Sequence, residues 1–245
     1  MNLTENIFCQ ILPILQDNYV PLLRDDTSDL TAVIDPGTSD EVLAKLAAEK
    51  WPLTHIFLTH HHGDHIGGVK KLVAATGAKV IGHALDAHRL PALDIALKDG
   101  DKFKWAGHEI QVMFLPGHTL GHIVYFVPSM KSLFCGDVLF AMGCGRLFEG
   151  TPKQMYESLM LIKALPEDTM IYCAHEYTQK NGEFALMYDG NNEALHARME
   201  KVIKMREQHQ ATVPFSLFDE IATNPFMRSA SVDAFTKLRE ARNKF

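Results

Sequence analysis

At 245 residues, 47% apolar and 22% charged, the chain is long enough for one large core or for a core with a small appendage. A net charge of -6 argues against a nonspecific hold on nucleic acid, and no apolar run approaches the roughly 20 residues that cross a bilayer, so neither nucleic acid nor membrane is an expected partner. Residues 1–6 have neither the basic start nor the apolar stretch of a leader, and Cys9, Cys135, Cys144 and Cys173 have no CxxC spacing, which predicts a cytoplasmic protein with reduced thiols.

In chain order, short apolar strand candidates fall at residues 11–15, 20–23 and 30–34, followed by a helix over 40–50. A strand at 55–59 leads into a helix over 67–75, and further strands are expected at 79–81, 110–115, 123–127 and 132–135. Met155, Leu159 and Ile162 recur at helical spacing within 152–164, ahead of a strand at 170–173. Helices are too scarce between these strands for a doubly wound parallel sheet, so the expected class is α/β with two stacked sheets and helices outside. After Tyr177 the character changes. A helix over 192–210 carries an imperfect stripe of Leu195, Met199, Val202, Ile203 and Met205, and Ser229 or Ser231 can cap a last helix that packs through Phe235 and Leu238 and reaches about Arg242. The expected division is a sheet-rich domain over 1–176 and a small helical domain over 177–245.

The chemistry is concentrated in His60-His-His-Gly-Asp-His65, which holds four potential ligands where strand turns into helix. Extended residues two apart share a side, so His60 and His62 point together and His61 faces elsewhere. Gly63 lets the chain turn toward Asp64 and His65. Three more ligand candidates follow strand signals: His118 after Leu115-Pro-Gly117, Asp137 after Phe134-Cys-Gly136, and His175 after Tyr172-Cys-Ala174. Seven ligands suit two ions, one taken by His60, His62 and His118, the other by Asp64, His65 and His175, with the two oxygens of Asp137 as the bridge. Imidazole and carboxylate suit zinc first, with iron and manganese also possible. Such a centre brings a bound hydroxide to neutral pH for hydrolysis, and Asp64 and Asp137 are the carboxylates on which catalysis depends. No G-x-S-x-G elbow, H-E-x-x-H helix or phosphate-cradling loop offers another chemistry. Cys173 and Cys135 read as structural neighbours of the ligands.

The ligand pattern resembles the signature of the metallo-beta-lactamase superfamily, whose fold is an αββα sandwich. Asp17-Asn-Tyr19, Gly143-Cys-Gly-Arg-Leu-Phe-Glu-Gly150, His175-Glu-Tyr-Thr178 and Thr223-Asn-Pro-Phe-Met-Arg228 are similar to one branch, the glyoxalase II thioesterases or hydroxyacylglutathione hydrolases. The resemblance implies a metallo-beta-lactamase-type catalytic domain with a C-terminal helical domain, and hydrolysis of the thioester S-D-lactoylglutathione to glutathione and D-lactate at a dinuclear centre.

For substrate contacts it implies Arg146, Phe148 at a position where tyrosine is common, Tyr177, and Arg228 as a grip on the glycine carboxylate. Ser229-Ala-Ser231 departs from the basic cluster expected after Arg228, which leaves Lys237 or Arg239 as a replacement. Arginine also fits on physical grounds, because an acidic protein needs local positive charge to hold an anionic conjugate. Two rivals use similar ligands: a mononuclear-iron dioxygenase of glutathione persulfide, and a broader thioester or lactone hydrolase. A monomer or weak oligomer is expected.

Overall fold

Strand formers and a short-range meander start the first sheet. In the computed structural model, which describes residues 7–245, β1 (Ile7–Ile14), β2 (Asn18–Asp25) and β3 (Leu30–Ile34) pair antiparallel in sequence order. Residues 1–6, read above for a leader, lie outside the described residues. After α1 (Asp40–Glu49) the sheet grows by parallel addition of β4 (His55–Phe57). The short α2 (Gly63–Ile66) and α3 (Val69–Thr76) then lead to β5 (Lys79–His83) and β6 (Ile95–Leu97), both also parallel. Parallel neighbours need a crossover, which α1 and the α2–α3 pair supply. The chain divides into two compact units, Met1–Phe114 with Gly121–Gly136, and Leu115–Leu120 with Asp137–Phe245.

To the first unit the second sheet contributes β7 (Lys102–Trp105), β8 (His108–Phe114), β9 (Ile123–Val127) and β10 (Ser132–Gly136), each antiparallel to the next. The β7–β8 hairpin turns on Ala106 (φ 52°) and Gly107 (φ 81°), the two left-handed residues that a two-residue hairpin turn requires. The two sheets of this unit face each other through aromatic residues. Phe57 packs against Phe103, Trp105 and Tyr125, and the buried Tyr125 hydroxyl donates to the Leu58 carbonyl at 2.8 Å. On the other face of the first sheet, Val42, Leu46, Val69 and Leu72 of α1 and α3 close over Val20, Leu22, Val33, Ile56 and Val80. The stacked sheets expected from the strand pattern are present here, with helices on the outer face.

The second unit begins with a hairpin of β11 (Leu139–Phe140) and β12 (Gly143–Cys144). α4 (Pro152–Lys163) follows, started by a capping box between Thr151 and Gln154. β13 (Met170–Cys173), α5 (Thr178–Tyr188), α6 (Glu193–Glu207), β14 (Phe215–Ser216), α7 (Leu217–Thr223) and α8 (Val232–Lys244) complete it, with β14 antiparallel to β13. Ser231, not Ser229, caps α8 by accepting from the Ala234 amide.

Several expectations change, among them the short strands β6, β7, β11, β12 and β14, which were not anticipated. The strand at 55–59 stops at Phe57, and helix begins at Gly63 rather than 67, broken once before α3. α5 and α7 were not anticipated. α5 contains Asn181 and Gly182, both poor helix formers, and tertiary packing overrides that propensity: a Cβ at Gly182 would collide with Met199 of α6. No helix among the described residues is long and apolar enough to cross a membrane.

Candidate metal centre and substrate cavity

In the first unit the ligand segment leaves β4 and is pinned by Thr59 and Asp35. The Thr59 amide donates to Asp35 Oδ1 at 2.8 Å and its hydroxyl donates to Oδ2 at 2.5 Å. Thr59 Oγ1 in turn lies 3.0 Å from His60 Nδ1, and His65 Nδ1 lies 3.1 Å from Asp35 Oδ2. One buried carboxylate therefore orients both imidazoles, His65 directly and His60 through the hydroxyl, so that the Nε2 atoms are the ligand atoms on offer. Asp35 itself holds φ 51°, a left-handed conformation unusual for a residue with a side chain. Gly37 follows because a Cβ there would run into the Asp64 carbonyl. His60 Nε2 stands 3.0 Å from His62 Nδ1, and His65 Nε2 stands 3.5 Å from Asp64 Oδ2, which also accepts from Asn18 Nδ2 at 3.0 Å. His61 does face elsewhere: its Nδ1 lies 3.2 Å from Asp86, which Arg89 also holds. His122 stacks on His60 at 4.7 Å, a neighbour the sequence reading did not single out.

In the second unit His118, Asp137 and His175 come together. His118 Nδ1–H donates to the Arg146 carbonyl at 2.9 Å, leaving Nε2 at 3.3 Å from Asp137 Oδ2. His175 Nε2 lies 3.5 Å from the other oxygen, Oδ1. Its ring stacks flat on Tyr177 at 4.7 Å and meets the edge of Phe140 at 5.9 Å. Gly145 passes so close to Asp137 that a Cβ would strike the Asp137 carbonyl. The Cys173 thiol donates to the His175 carbonyl at 3.4 Å, a structural contact as the sequence suggested.

These spacings fit a metal. Two ligand atoms held about 2.0–2.1 Å from one tetrahedral zinc stand roughly 3.3–3.4 Å apart. The four pairs, two in each unit, are separated by 3.0, 3.5, 3.3 and 3.5 Å. Asp35, His60 and His65 also present ligand atoms within 4.8 Å of one another, although both oxygens of Asp35 are engaged by Thr59 and His65. Imidazole and carboxylate clusters of this kind are suited to zinc, iron or manganese.

The second unit also contains a cavity of about 390 Å³ lined by His118 and Asp137, the aromatic rings of Phe140, Phe148 and Tyr177, and the cations Arg146, Lys180, Arg239 and Arg242. Arg239 Nη1 donates to the Cys144 carbonyl at 2.8 Å, and Arg242 Nη2 donates to Asn181 Oδ1 at 3.2 Å. Burial lowers the pKa of Arg242, and its neighbours Arg239 and Arg146 lower it further. Burial pushes the Cys144 thiol up, against the pull of Arg239 and Arg242. Four cations against one lining carboxylate, Asp137, make this a site for an anion.

Arg228 does not line this cavity. It pairs with Asp189 and borders a separate hollow together with Tyr188, Ser229 and Lys237. Of the two replacements considered above, Arg239 lines the cationic cavity and Lys237 does not. Lys180 and Arg242 were missed. The signal for Arg242 was its spacing, since residues 239 and 242 lie on one face of a helix.

Paired sheets carrying this histidine–aspartate set define a metallo-beta-lactamase type of metal-binding protein, and residues 22–175 match the metallo-beta-lactamase superfamily. Residues 176–245 match the hydroxyacylglutathione hydrolase C-terminus. A hydroxyacylglutathione hydrolase of Methylococcus capsulatus is 48% identical over 93% of this chain and 89% of its own length. Among solved structures, ETHE1 from Myxococcus xanthus superposes with a TM-score of 0.74 at 26% identity, over 96% of this chain and 91% of that one. TTHA1623, solved in a di-iron-bound form, has a TM-score of 0.59 at 30% identity and covers 69% of this chain and 91% of its own. The chain belongs to the hydroxyacylglutathione hydrolase branch of the metallo-beta-lactamase superfamily, and it is a metal-dependent hydrolase with that α/β fold and a C-terminal helical region.

Proposed function

We propose that this enzyme hydrolyses S-D-lactoylglutathione to glutathione and D-lactate. The observation that carries the substrate is the cavity where Arg146, Lys180, Arg239 and Arg242 accompany Asp137 and His118. Glutathione carries two carboxylates, and guanidinium groups grip carboxylates in a two-pronged geometry. About 390 Å³ lies within the usual size range of small-molecule sites. Phe140, Phe148 and Tyr177 supply apolar surface for the thioester stem.

We assign the two ligand sets to one dinuclear centre. His60, His62 and His118 would hold one ion and Asp64, His65 and His175 the other, with Asp137 as the carboxylate available to both. Family membership supports this, as does the way each oxygen of Asp137 faces a different imidazole. Zinc is the first choice, with iron or manganese as alternatives; TTHA1623 in its di-iron form sets a precedent for two ions. When bound, the metals lower the pKa of water toward neutrality and polarise a carbonyl. The chain's own residues do the rest. The cationic cavity binds and orients the glutathione part, the Asp35–Thr59 pair fixes the ring faces of His60 and His65, and Asp64 and Asp137 are the carboxylates that turnover requires. No strong general acid is needed, because a departing thiolate has a conjugate-acid pKa near 8.5.

Residues 1–176 then serve as the catalytic part and 177–245 as the substrate-binding part, a division supported by the two family matches, which meet between 175 and 176. Arg228, assigned from resemblance to the glycine carboxylate, gives that role to Arg239 and Arg242. We place the enzyme in the cytoplasm as a monomer or weak oligomer acting on a small molecule, without nucleic acid or membrane; the acidic net charge supports the exclusion of nucleic acid.

The test quantifies metal per chain and then follows S-D-lactoylglutathione beside a thioester lacking glutathione. Two ions and selective turnover of the glutathione thioester are expected. One iron per chain with oxygen uptake on glutathione persulfide would replace this reading with the dioxygenase. Equal rates on both thioesters would make the enzyme a broader hydrolase.

A further inference from the structure

The hairpin that follows Asp137 is held by its own strand pairing and by side chains from distant helices. The Phe140 and Gly143 carbonyls accept from Asn224 Nδ2 at 3.3 and 2.9 Å, the Ala141 carbonyl accepts from Asn181 Nδ2 at 3.2 Å, and the Cys144 carbonyl accepts from Arg239. At its tip the Met142 amide donates to Glu220 Oε2 at 3.0 Å. Met142 has φ 54°, a left-handed conformation in which glycine would be easier. Glycine cannot serve there, because the Met142 side chain fills the core among Ala185, Leu195, Met199 and Val202.

Glu220 is fully buried, and its partners account for its carboxylate: Arg198 at 2.5 Å, Asn224 Nδ2 at 2.7 Å and the Met142 amide. The Glu220 carboxylate, through the Met142 amide, and the Asn224 amide, through the Phe140 and Gly143 carbonyls, thus form one polar network on the backbone of a six-residue hairpin. Both ends of that hairpin reach the cationic cavity. Phe140 and Cys144 line it, and the Phe140 ring lies edge-on to Tyr177 at 5.3 Å.

We propose that Glu220 and Asn224 are positioning residues that hold the Leu139–Cys144 hairpin in its left-handed turn and thereby set the Phe140 wall of the cavity, controlling glutathione affinity rather than the chemical step. The proposal rests on the reading of that cavity as the glutathione site. Neither residue touches substrate; both act through the hairpin backbone. Glu220 supplies the acceptor at the tip, and the two Nδ2 hydrogens of Asn224 are shared among Glu220 and the Gly143 and Phe140 carbonyls on either side of it.

The experiment compares the metal-loaded wild-type enzyme with E220A, E220Q and N224S. It measures metal per chain, kcat and KM on S-D-lactoylglutathione, and calorimetric affinity for glutathione. Serine at 224 stays polar but is too short to reach the two carbonyls. E220A and N224S are expected to weaken KM and glutathione affinity about tenfold, the size of a lost buried hydrogen bond, with kcat and metal content held. E220Q keeps an acceptor for the Met142 amide and is expected to restore most of the affinity. N224S decides the matter where E220A yields no folded protein. Unchanged KM in both variants, a joint fall of kcat and metal content, or failure of all three variants to fold would each overturn the clamp. Wild-type enzyme that neither turns over the thioester nor binds glutathione would overturn the substrate assignment along with it; wild-type turnover beside unaltered variants would remove only the clamp.

Discussion

Asp35 lies 3.1 Å from the Nδ1 of His65, and the same carboxylate holds the Thr59 hydroxyl that meets His60. A residue outside the proposed ligand set thus decides which nitrogen two candidate ligands present. Asp35→Ala is expected to lower metal affinity and kcat/KM by about 10–100-fold, the usual effect of losing an orienting partner behind a metal ligand. Metal analysis of the purified variant, followed by titration with zinc, checks this; full occupancy at wild-type affinity would make Asp35 a fold residue only.

Asp137→Asn should be more damaging than Asp64→Asn. Asp137 faces an imidazole with each oxygen, whereas Asp64 offers Oδ2 beside His65 and shares it with Asn18. Both variants are expected to lose metal as well as turnover. An Asp64→Asn enzyme that retained two ions and the wild-type rate would remove Asp64 from the ligands.

Arg242→Ala and Arg228→Ala should separate cleanly. Arg242 lines the cavity, and its loss is expected to raise KM about tenfold or more, the scale of a charge-assisted hydrogen bond. Arg228 pairs with Asp189 at a partly exposed site, so its loss should leave KM alone and cost about 0–1 kcal/mol of stability. Steady-state kinetics with thermal melts on both proteins tests the pair, and the reverse pattern would return the carboxylate grip to Arg228.

Phe148 is 63% exposed beside His118 at the cavity. Phe148→Tyr adds a hydroxyl at a rim where water or substrate can accept it. A single added hydrogen bond of about 0.5–1.5 kcal/mol would lower KM roughly two- to tenfold, with kcat unchanged. If KM does not move, the hydroxyl finds no partner on the substrate.

His55 accepts a hydrogen bond from Trp105 Nε1 at 3.1 Å, and burial, helped by Lys79, lowers its pKa below 6.5. The folded protein therefore binds fewer protons than the unfolded chain as pH falls. This contribution to stability is fully present above pH 6.5 and is lost as pH drops through the depressed folded value. Melting temperatures from pH 8 to pH 5 should fall less steeply for His55→Gln than for the wild type; parallel curves would show that His55 does not titrate differently on folding.

The histidine and aspartate clusters that could hold metal were legible because ligand chemistry needs particular residue types, and strand and turn patterns placed the candidates His60 to His65, His118, Asp137 and His175 at strand ends. The stacked sheets were legible for a similar reason, since apolar periodicity is local. α5 was not, because Asn181 and Gly182 argue against a helix until Met199 is known to press against them. Arg228 illustrates the same limit at the site. Its charge suited a carboxylate, but the neighbour it meets is Asp189, 39 residues earlier in the chain. The sequence by itself determined the reaction chemistry and the family, both of which depend on residue identity and short spacing. Which cations share the cavity, which carboxylate orients the histidines, and which side chains hold the Met142 turn were decided only by tertiary structure, because hydrogen bonds and charge act over a few ångströms in space between residues far apart in the chain.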